Sequence, residues 1–186
     1  MDLQKSMVFM GKLVGDLGAM MSIGPMLVGE KLGLYKALAA GGPMSPSELA
    51  TATNTNERYV REWLCSQAAS EFVEYDSASG KFSTTEEKAA ALAHEGSPVY
   101  FLGAIEVAVA MMNSEPRILE AFKTGDGVGW HEHDACLFRG TERFFRPGYM
   151  RILLTEWIPA LHGVKAKLEA GAVSPTWAAD TGRRPS

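Results

Sequence analysis

The 186-residue sequence has only two cysteines, Cys65 and Cys136, and they lie far apart along the chain. Two distant thiols do not make the disulfide framework on which small secreted domains depend. We therefore expect both thiols to be reduced and the protein to be cytoplasmic.

The sequence also lacks an uninterrupted apolar run of membrane-spanning length. Four charged side chains interrupt the N-terminal segment, which therefore has no signal-peptide core: Asp2, Lys5, Lys12 and Asp16. The most apolar later stretch, residues 99–112, is too short to span a bilayer and contains Glu106. We expect no membrane partner.

Basic charge is not in excess, because 18 Lys and Arg residues stand against 22 Asp and Glu residues, a net charge of −4. Domains that hold the phosphate backbone of nucleic acids usually carry a basic excess or a basic face. The composition therefore disfavours a nucleic acid as the main partner. A hydrophobic fraction of 46% allows a globular core of ordinary size.

Residues 3–21 have apolar side chains spaced mostly three and four apart, which predicts a helix. Gly11, Gly15 and Gly18 weaken this helix, and a lone helix of this kind is marginal in water. It therefore needs something to pack against, either the rest of the core or a second copy of the chain. We assign residues 1–22 as a packing or dimerisation helix and leave both alternatives open.

The next segment begins with two helices joined by a glycine-rich turn. The first is predicted over residues 24–40 and ends at a Gly-Gly-Pro run. The second is short, with Ser45 placed as its N-cap, Pro46 in its first turn and Glu48 completing a capping box.

A third helix and a hairpin complete the pattern of this segment, residues 23–95. The helix begins near Asn56, and apolar and acidic residues then alternate over 71–75, before a turn and a second short strand at 81–84. This order of elements is that of a winged helix-turn-helix domain. The predicted fold class is mainly α with a small β-hairpin, a winged helix-turn-helix plus a helical dimerisation and linker region.

From residue 96 to residue 172 the periodicity predicts a helical connector. Its predicted helices cover residues 98–112, 115–123, 134–145, 147–157 and 163–169. The glycine-rich run at 125–129 follows a helix and not a strand, so we interpret it as a connector and not as a nucleotide-binding loop.

Residues 131–134, His-Glu-His-Asp, group four potential metal ligands at a loop-to-helix boundary. A zinc site needs three or four ligands at workable geometry, and paired histidines usually sit four apart on a helix. We therefore expect no metal site and interpret these residues as polar lining, with Asp134 as the N-cap of the next helix.

If the winged helix reads DNA, its third helix is the recognition helix. That helix offers Arg58 and Arg61 as DNA contacts, but Glu57 and Glu62 lie beside them, and the predicted hairpin has one lysine, Lys81, among acidic residues. A DNA-binding transcriptional regulator is therefore the alternative function, and we do not expect nucleic-acid binding.

Residues 139–149 are dense in aromatic and guanidinium groups. Such a segment can wall an apolar pocket and fix a polar group of a substrate. On residue type alone, helix packing with solvated arginines is the preferred interpretation.

Three stretches resemble class I S-adenosylmethionine-dependent methyltransferases that carry an N-terminal winged-helix domain. They are residues 57–64, residues 129–134, and residues 140–149 with Glu-Trp-Ile-Pro-Ala-Leu at 156–161. The resemblance covers residues 1–172 and preserves the order of the segments in the family.

The resemblance implies that the N-terminal part dimerises and closes over a small-molecule pocket, with the region from Arg143 to Tyr149 facing the cleft. It thus raises the weight of the pocket interpretation, and the expected partner is a second copy of the chain. The substrate-pocket candidates are Trp130, His133, Arg143, Phe144, Arg146 and Tyr149.

In the family, a Rossmann-like sheet follows, and its first strand and glycine loop read like V-A-D-V-G-C-G-x-G. Residues 172–186 instead read A-V-S-P-T-W-A-A-D-T-G-R-R-P-S. If the tail from Ser174 onward is back-translated and read in the frame shifted by one base, so that each triplet starts with the last base of the preceding codon, the codons permit V-A-D-V-G-C-G-H-G-A-S-T. The first glycine is forced, because the TGG codon of Trp177 precedes the GC of an alanine codon. We hypothesise a frameshift near Val173 and assign residues 173–186 as an unrelated tail.

On this interpretation the chain is a truncated methyltransferase relative that keeps the dimerisation and substrate-lid portion. We expect no catalytic, cofactor-binding or metal-binding residue in it, and no activity of the chain alone. S-adenosylmethionine is the cofactor implied for full-length relatives. An intact relative that supplies the missing domain in a hetero-dimer is the other expected partner.

Overall fold

The computed structural model describes residues 1–171, which form two compact units, Met1–Ala93 and a second that begins at His94. The predicted tail at 173–186, and with it the hypothesised frameshift, lies outside the described residues. The domain limits expected at residues 22 and 95 stay predictions.

The first unit is a winged helix-turn-helix domain with a long preceding helix. Its elements are α1 (Leu3–Lys31), α2 (Leu34–Gly41), α3 (Pro46–Thr53), α4 (Glu57–Ala69), β1 (Glu74–Asp76), β2 (Lys81–Ser83) and α5 (Glu86–Leu92). The strands pair antiparallel with Tyr75 opposite Phe82, and the capping box of Ser45 and Glu48 forms as predicted. The mainly α fold with a small hairpin is confirmed.

The predicted break between the first two helices at residues 22–24 is wrong, because α1 continues through Pro25. Proline lacks the N–H that would bond to the Met21 carbonyl, and this loss does not end the helix. The Pro25 carbonyl also accepts a hydrogen bond from Trp63 Nε1 at 2.8 Å. The chain turns at Gly33, whose φ of +70° suits glycine. The first strand also starts later than predicted, since Glu71 takes a φ of +61° before it.

The core of the first unit joins the end of α1 to α2 and α4. Trp63 and Tyr35 meet edge to face with ring centroids 5.0 Å apart, and the Tyr35 hydroxyl donates to Oε1 of the buried Gln67 at 2.5 Å. Burial raises the pKa of Tyr35, so this hydroxyl stays a donor. A Cβ on Gly29 would lie 2.3 Å from Trp63 Cζ2, so this close approach requires glycine.

The other half of α1, residues 3–21, is called the N-terminal arm below. Its large apolar side chains are 43–74% exposed: Leu3, Met7, Val8, Phe9, Met10, Leu13, Val14, Leu17, Met20 and Met21. Among the described helices, α1 alone is long and apolar enough to cross a membrane by length and composition, with a mean hydropathy of 1.3. A core helix or a signal sequence passes the same test, so this is weak support for a membrane span.

The regular secondary structure in the described part of the second unit is all helical. It contains α6 (Leu102–Asn113), α7 (Glu115–Thr124), a 3₁₀ turn (Trp130–Glu132), α8 (Ala135–Ile152), a π-helical turn (Leu153–Trp157), α9 (Ile158–Ala160) and α10 (Val164–Glu169). Helices α6 and α8 approach closely at two glycines, since a Cβ on Gly103 would lie 2.7 Å from the Gly140 carbonyl oxygen.

Two predicted helix limits in this unit are wrong. Helix α6 begins at Leu102 and not at Pro98, and α8 continues through Pro147 where a break was predicted. The loss of one hydrogen bond at Pro147 does not end α8, whose earlier turns bury Leu137 and Gly140.

Candidate functional site

The candidate site of the second unit begins with a carboxylate between two arginines. Glu106 on α6 is 5% exposed, and its Oε1 lies 2.9 Å from Arg139 Nη2 and 3.2 Å from Arg143 Nη1. The two arginines are four residues apart on α8, which places them on one face of the helix. Because a buried carboxylate is costly unless it is paired, this triad fixes α6 against α8 and orients both guanidiniums.

Arg143 has further partners, which hold its guanidinium in one place. Its Nε donates to Glu95 Oε1 at 2.7 Å, and its Nη2 donates to the hydroxyl of buried Tyr100 at 2.6 Å. The guanidinium also lies over the Tyr100 ring, 5.4 Å from its centroid. On the other side of Glu106, the hydrogen bond to this carboxylate raises the pKa of Arg139.

A cavity of about 540 Å³ lies beside this network. Its lining residues are three arginines, two glutamates, a glycine, a proline and a methionine: Arg143, Arg146, Arg151, Glu95, Glu142, Gly96, Pro147 and Met150. Its volume is within the range of small-molecule sites.

A second cavity, of about 360 Å³, is aromatic. Its lining is Pro98, Val99, Tyr100, Phe101, Phe144, Phe145, Gly148, Tyr149 and Trp157. Successive rings touch, with Phe101 edge-on to Phe144 at 5.9 Å and Phe145 stacked on Tyr149 at 5.9 Å. Such a surface suits a flat apolar group.

The structure divides the six predicted pocket residues into three places. Arg143 and Arg146 line the charged cavity, and Phe144 and Tyr149 line the aromatic cavity. Trp130 and His133 line neither of these two cavities. The Trp130 ring meets His133 at 5.7 Å and Phe138 at 5.2 Å.

Sequence reasoning missed several residues of this site. Glu95, Tyr100, Glu106 and Arg151 were not predicted, although a single carboxylate inside the apolar α6 was a usable signal. A lone Glu in such a helix needs a cationic partner when buried. The partner residues lie 33 and 37 positions later, which no local pattern indicates.

The histidine pair at residues 131–134 lies just before the N-terminus of α8. The Asp134 carboxylate accepts from the Cys136 N–H at 2.8 Å, which confirms its prediction as N-cap of α8. This hydrogen bond, and then one from Asn113, lowers the pKa of Asp134. Within residues 1–171, no group of three or more His, Cys, Asp or Glu residues is placed to hold a metal ion.

The candidate DNA contacts Arg58 and Arg61 are exposed on α4. Arg61 pairs with Glu57, and Arg58 lies over the neighbouring Tyr59 ring. In the hairpin, Lys81 pairs with Glu48 at 3.0 Å. Hydrogen bonds from the Ser45 backbone N–H and from Lys81 lower the pKa of Glu48 to about 2. The cations that would meet phosphate groups are thus partly neutralised within the domain.

Residues 16–94 match the model of the Rv2258c-like winged HTH domain. This range holds the second half of α1, helices α2 to α5 and the hairpin, and the match confirms the winged-helix prediction. Among curated proteins, none matches the chain by sequence.

The fold is also similar to solved structures. The structure of PigF with SAH has a TM-score of 0.56 and 11% identity, covering 83% of this chain and 49% of that chain. The SAH-bound crystal structure of CalO1, Methyltransferase in Calicheamicin Biosynthesis, has a TM-score of 0.43 and 23% identity, covering 77% of this chain and 45% of that chain. The chain spans about half the length of each, and the likeness to PigF shows a shared fold.

Proposed function

We propose that this chain is the dimerisation and pocket-forming portion of a methyltransferase-type protein. Support comes from the three sequence stretches that resemble class I methyltransferases and from the Rv2258c-like winged HTH domain. The fold is similar to that of PigF, whose structure holds SAH, the product left when S-adenosylmethionine gives up its methyl group. The observation that carries the proposal is the exposed apolar arm that leads into the winged-helix domain.

The arm has the spacing of a helix-pairing seam. Leucine, methionine and valine side chains alternate at steps of four and three: Leu3, Met7, Met10, Val14, Leu17 and Met21. Such a repeat aligns one apolar stripe along a helix that pairs with another helix. Burying each of these side chains contributes about 1.5–3 kcal/mol relative to exposure. A second copy of the chain presents the same stripe, so the proposed state is a homodimer paired through the arms.

The second unit supplies the wall of a small-molecule pocket in this proposal. The sequence resemblance implies that the region from Arg143 to Tyr149 faces a substrate cleft. The charged cavity and the aromatic cavity described above both lie along this stretch of α8, which supports that role.

The described residues do not fit a site for S-adenosylmethionine. Class I enzymes hold it against a parallel sheet and a glycine loop that follows a strand. Within residues 1–171 the sheet is the two-stranded hairpin, and the glycine run at 125–129 follows α7. We therefore propose that these residues do not bind the cofactor by themselves. Isothermal titration of the full chain with S-adenosylmethionine tests this, and micromolar affinity would contradict it.

Light scattering on matched variants tests the dimer. The wild-type chain is expected at twice its mass of 20.1 kDa, and Val14→Glu with Leu17→Glu in one chain is expected to be monomeric. The matched control, Gln4→Glu with Ala19→Glu, adds the same two charges to the arm away from the seam and should stay dimeric. A monomeric wild type, or a control that dissociates equally, would contradict the proposal.

A further inference from the structure

We propose that the charged cavity of the second unit, lined by Arg146 and Arg151, binds a small molecule through one carboxylate group. This inference rests on the proposed pocket-forming role and names the chemical class of its ligand. It follows from how fully each arginine on α8 is paired within residues 1–171.

Four arginines follow one another along α8, and the first two are used inside the protein. Arg139 and Arg143 share the Glu106 carboxylate, and Arg143 also holds Glu95 and the Tyr100 hydroxyl. These contacts hold the guanidinium of Arg143 in place at the cavity wall. Its hydrogen-bonding groups are therefore satisfied by the protein without a ligand.

The next two arginines have donors left for a ligand. Within the described part of the chain, Arg146 forms an ion pair with Glu142 alone, at 3.8 Å, and the two side chains are 66% and 47% exposed. An exposed pair of this kind contributes little. The guanidinium of Arg151 forms no ion pair with any residue in the range 1–171. Both side chains line the same cavity.

The charge balance of the cavity selects a monoanion. Its lining carries three arginines and two glutamates, a net charge of one positive unit. The adjoining pair of Arg139 and Glu106 is neutral and does not change this net charge. One carboxylate compensates this excess, whereas a doubly charged phosphate reverses it. The planar guanidinium donates two parallel hydrogen bonds to a carboxylate. Pro147 and Met150 offer apolar contact for the remainder of the ligand.

Benzoate and benzamide distinguish charge from shape, because both present the same ring and only benzoate is an anion. Ligand-observed NMR titrations of the full chain at constant ionic strength measure both affinities. Benzoate is expected to bind at least about tenfold more tightly than benzamide. The variant Arg146→Gln with Arg151→Gln should lose this preference. The control Arg58→Gln with Arg117→Gln removes two exposed arginines elsewhere and should retain it.

Each other outcome counts against the inference. Equal affinities for benzoate and benzamide would be consistent with a pocket but would contradict its preference for a carboxylate. No saturable binding of benzoate, or an equal loss in the control variant, overturns the site itself. Light scattering on the same samples reports the dimer separately, so failure of this site and failure of the arm-mediated dimer are distinguishable.

Discussion

The two halves of α1 belong to one continuous helix, yet among the described residues, 1–171, only the second half packs against other helices. Residues 25–31 lie against α4, with Met26 and Gly29 buried and Trp63 bonded to the Pro25 carbonyl. The arm at residues 3–21 is exposed along its length. The packed half contributes to the stability of the monomer, whereas in the proposed dimer the arm gains its apolar burial from a second molecule. One half of α1 thus serves folding, and the other half is proposed to serve assembly.

The largest expected loss of stability comes from a substitution that removes the contacts of the packed half, residues 25–31. Trp63→Ala removes the ring that contacts Gly29 and Tyr35 and the donor to Pro25, and should lower the free energy of unfolding by about 3–5 kcal/mol. Phe9→Ala in the exposed arm should change it by less than about 0.5 kcal/mol at dilutions where the chain is monomeric. Urea denaturation followed by circular dichroism measures both. Equal effects would erase the distinction between the two halves.

Replacing each of two glycines of α1 by alanine should change the stability by a smaller amount, with opposite signs in the two halves. Gly29→Ala places a Cβ 2.3 Å from the Trp63 ring and should cost about 1–3 kcal/mol. Gly18→Ala meets nothing within 4 Å and should stabilise the helix by up to about 1 kcal/mol. Thermal unfolding of the two variants tests this. A stabilised Gly29→Ala variant would contradict the packing described for this half.

Acid should lower the stability of the first unit by breaking the capping box of α3. The pKa of Glu48 is lowered from its ordinary 4.5 to about 2 in the folded chain. Its stabilising contribution is therefore fully present above about pH 4.5 and is lost as the pH falls toward 2. Glu48→Gln should reduce the pH dependence of the unfolding midpoint over this window, whereas Glu62→Gln on the surface of α4 serves as the control. An unchanged pH dependence in Glu48→Gln would exclude this role.

Local signals predicted much of the first unit. The capping residues Ser45 and Glu48, the start of α4 and the hairpin follow from neighbouring residues. The continuity of α1 through Pro25 was not predicted from local signals, and the contact of this turn with Trp63, 38 residues later, could not be read from them either. The same limit applies to the site. The segment at 143–149 stays a prediction from the resemblance, and the pairing of Glu106 with Arg139 and Arg143 depends on how α6 meets α8.

Hydrogen exchange of the amides of α1, measured across a range of protein concentrations, tests the central claim most directly. Backbone protection reports local opening, and the two halves of the helix provide an internal comparison. Protection of residues 3–21 should rise with concentration as the arms pair, whereas protection of residues 26–31 should stay constant. Rapid exchange of the arm at every concentration, or protection independent of concentration, would contradict dimerisation through the arm.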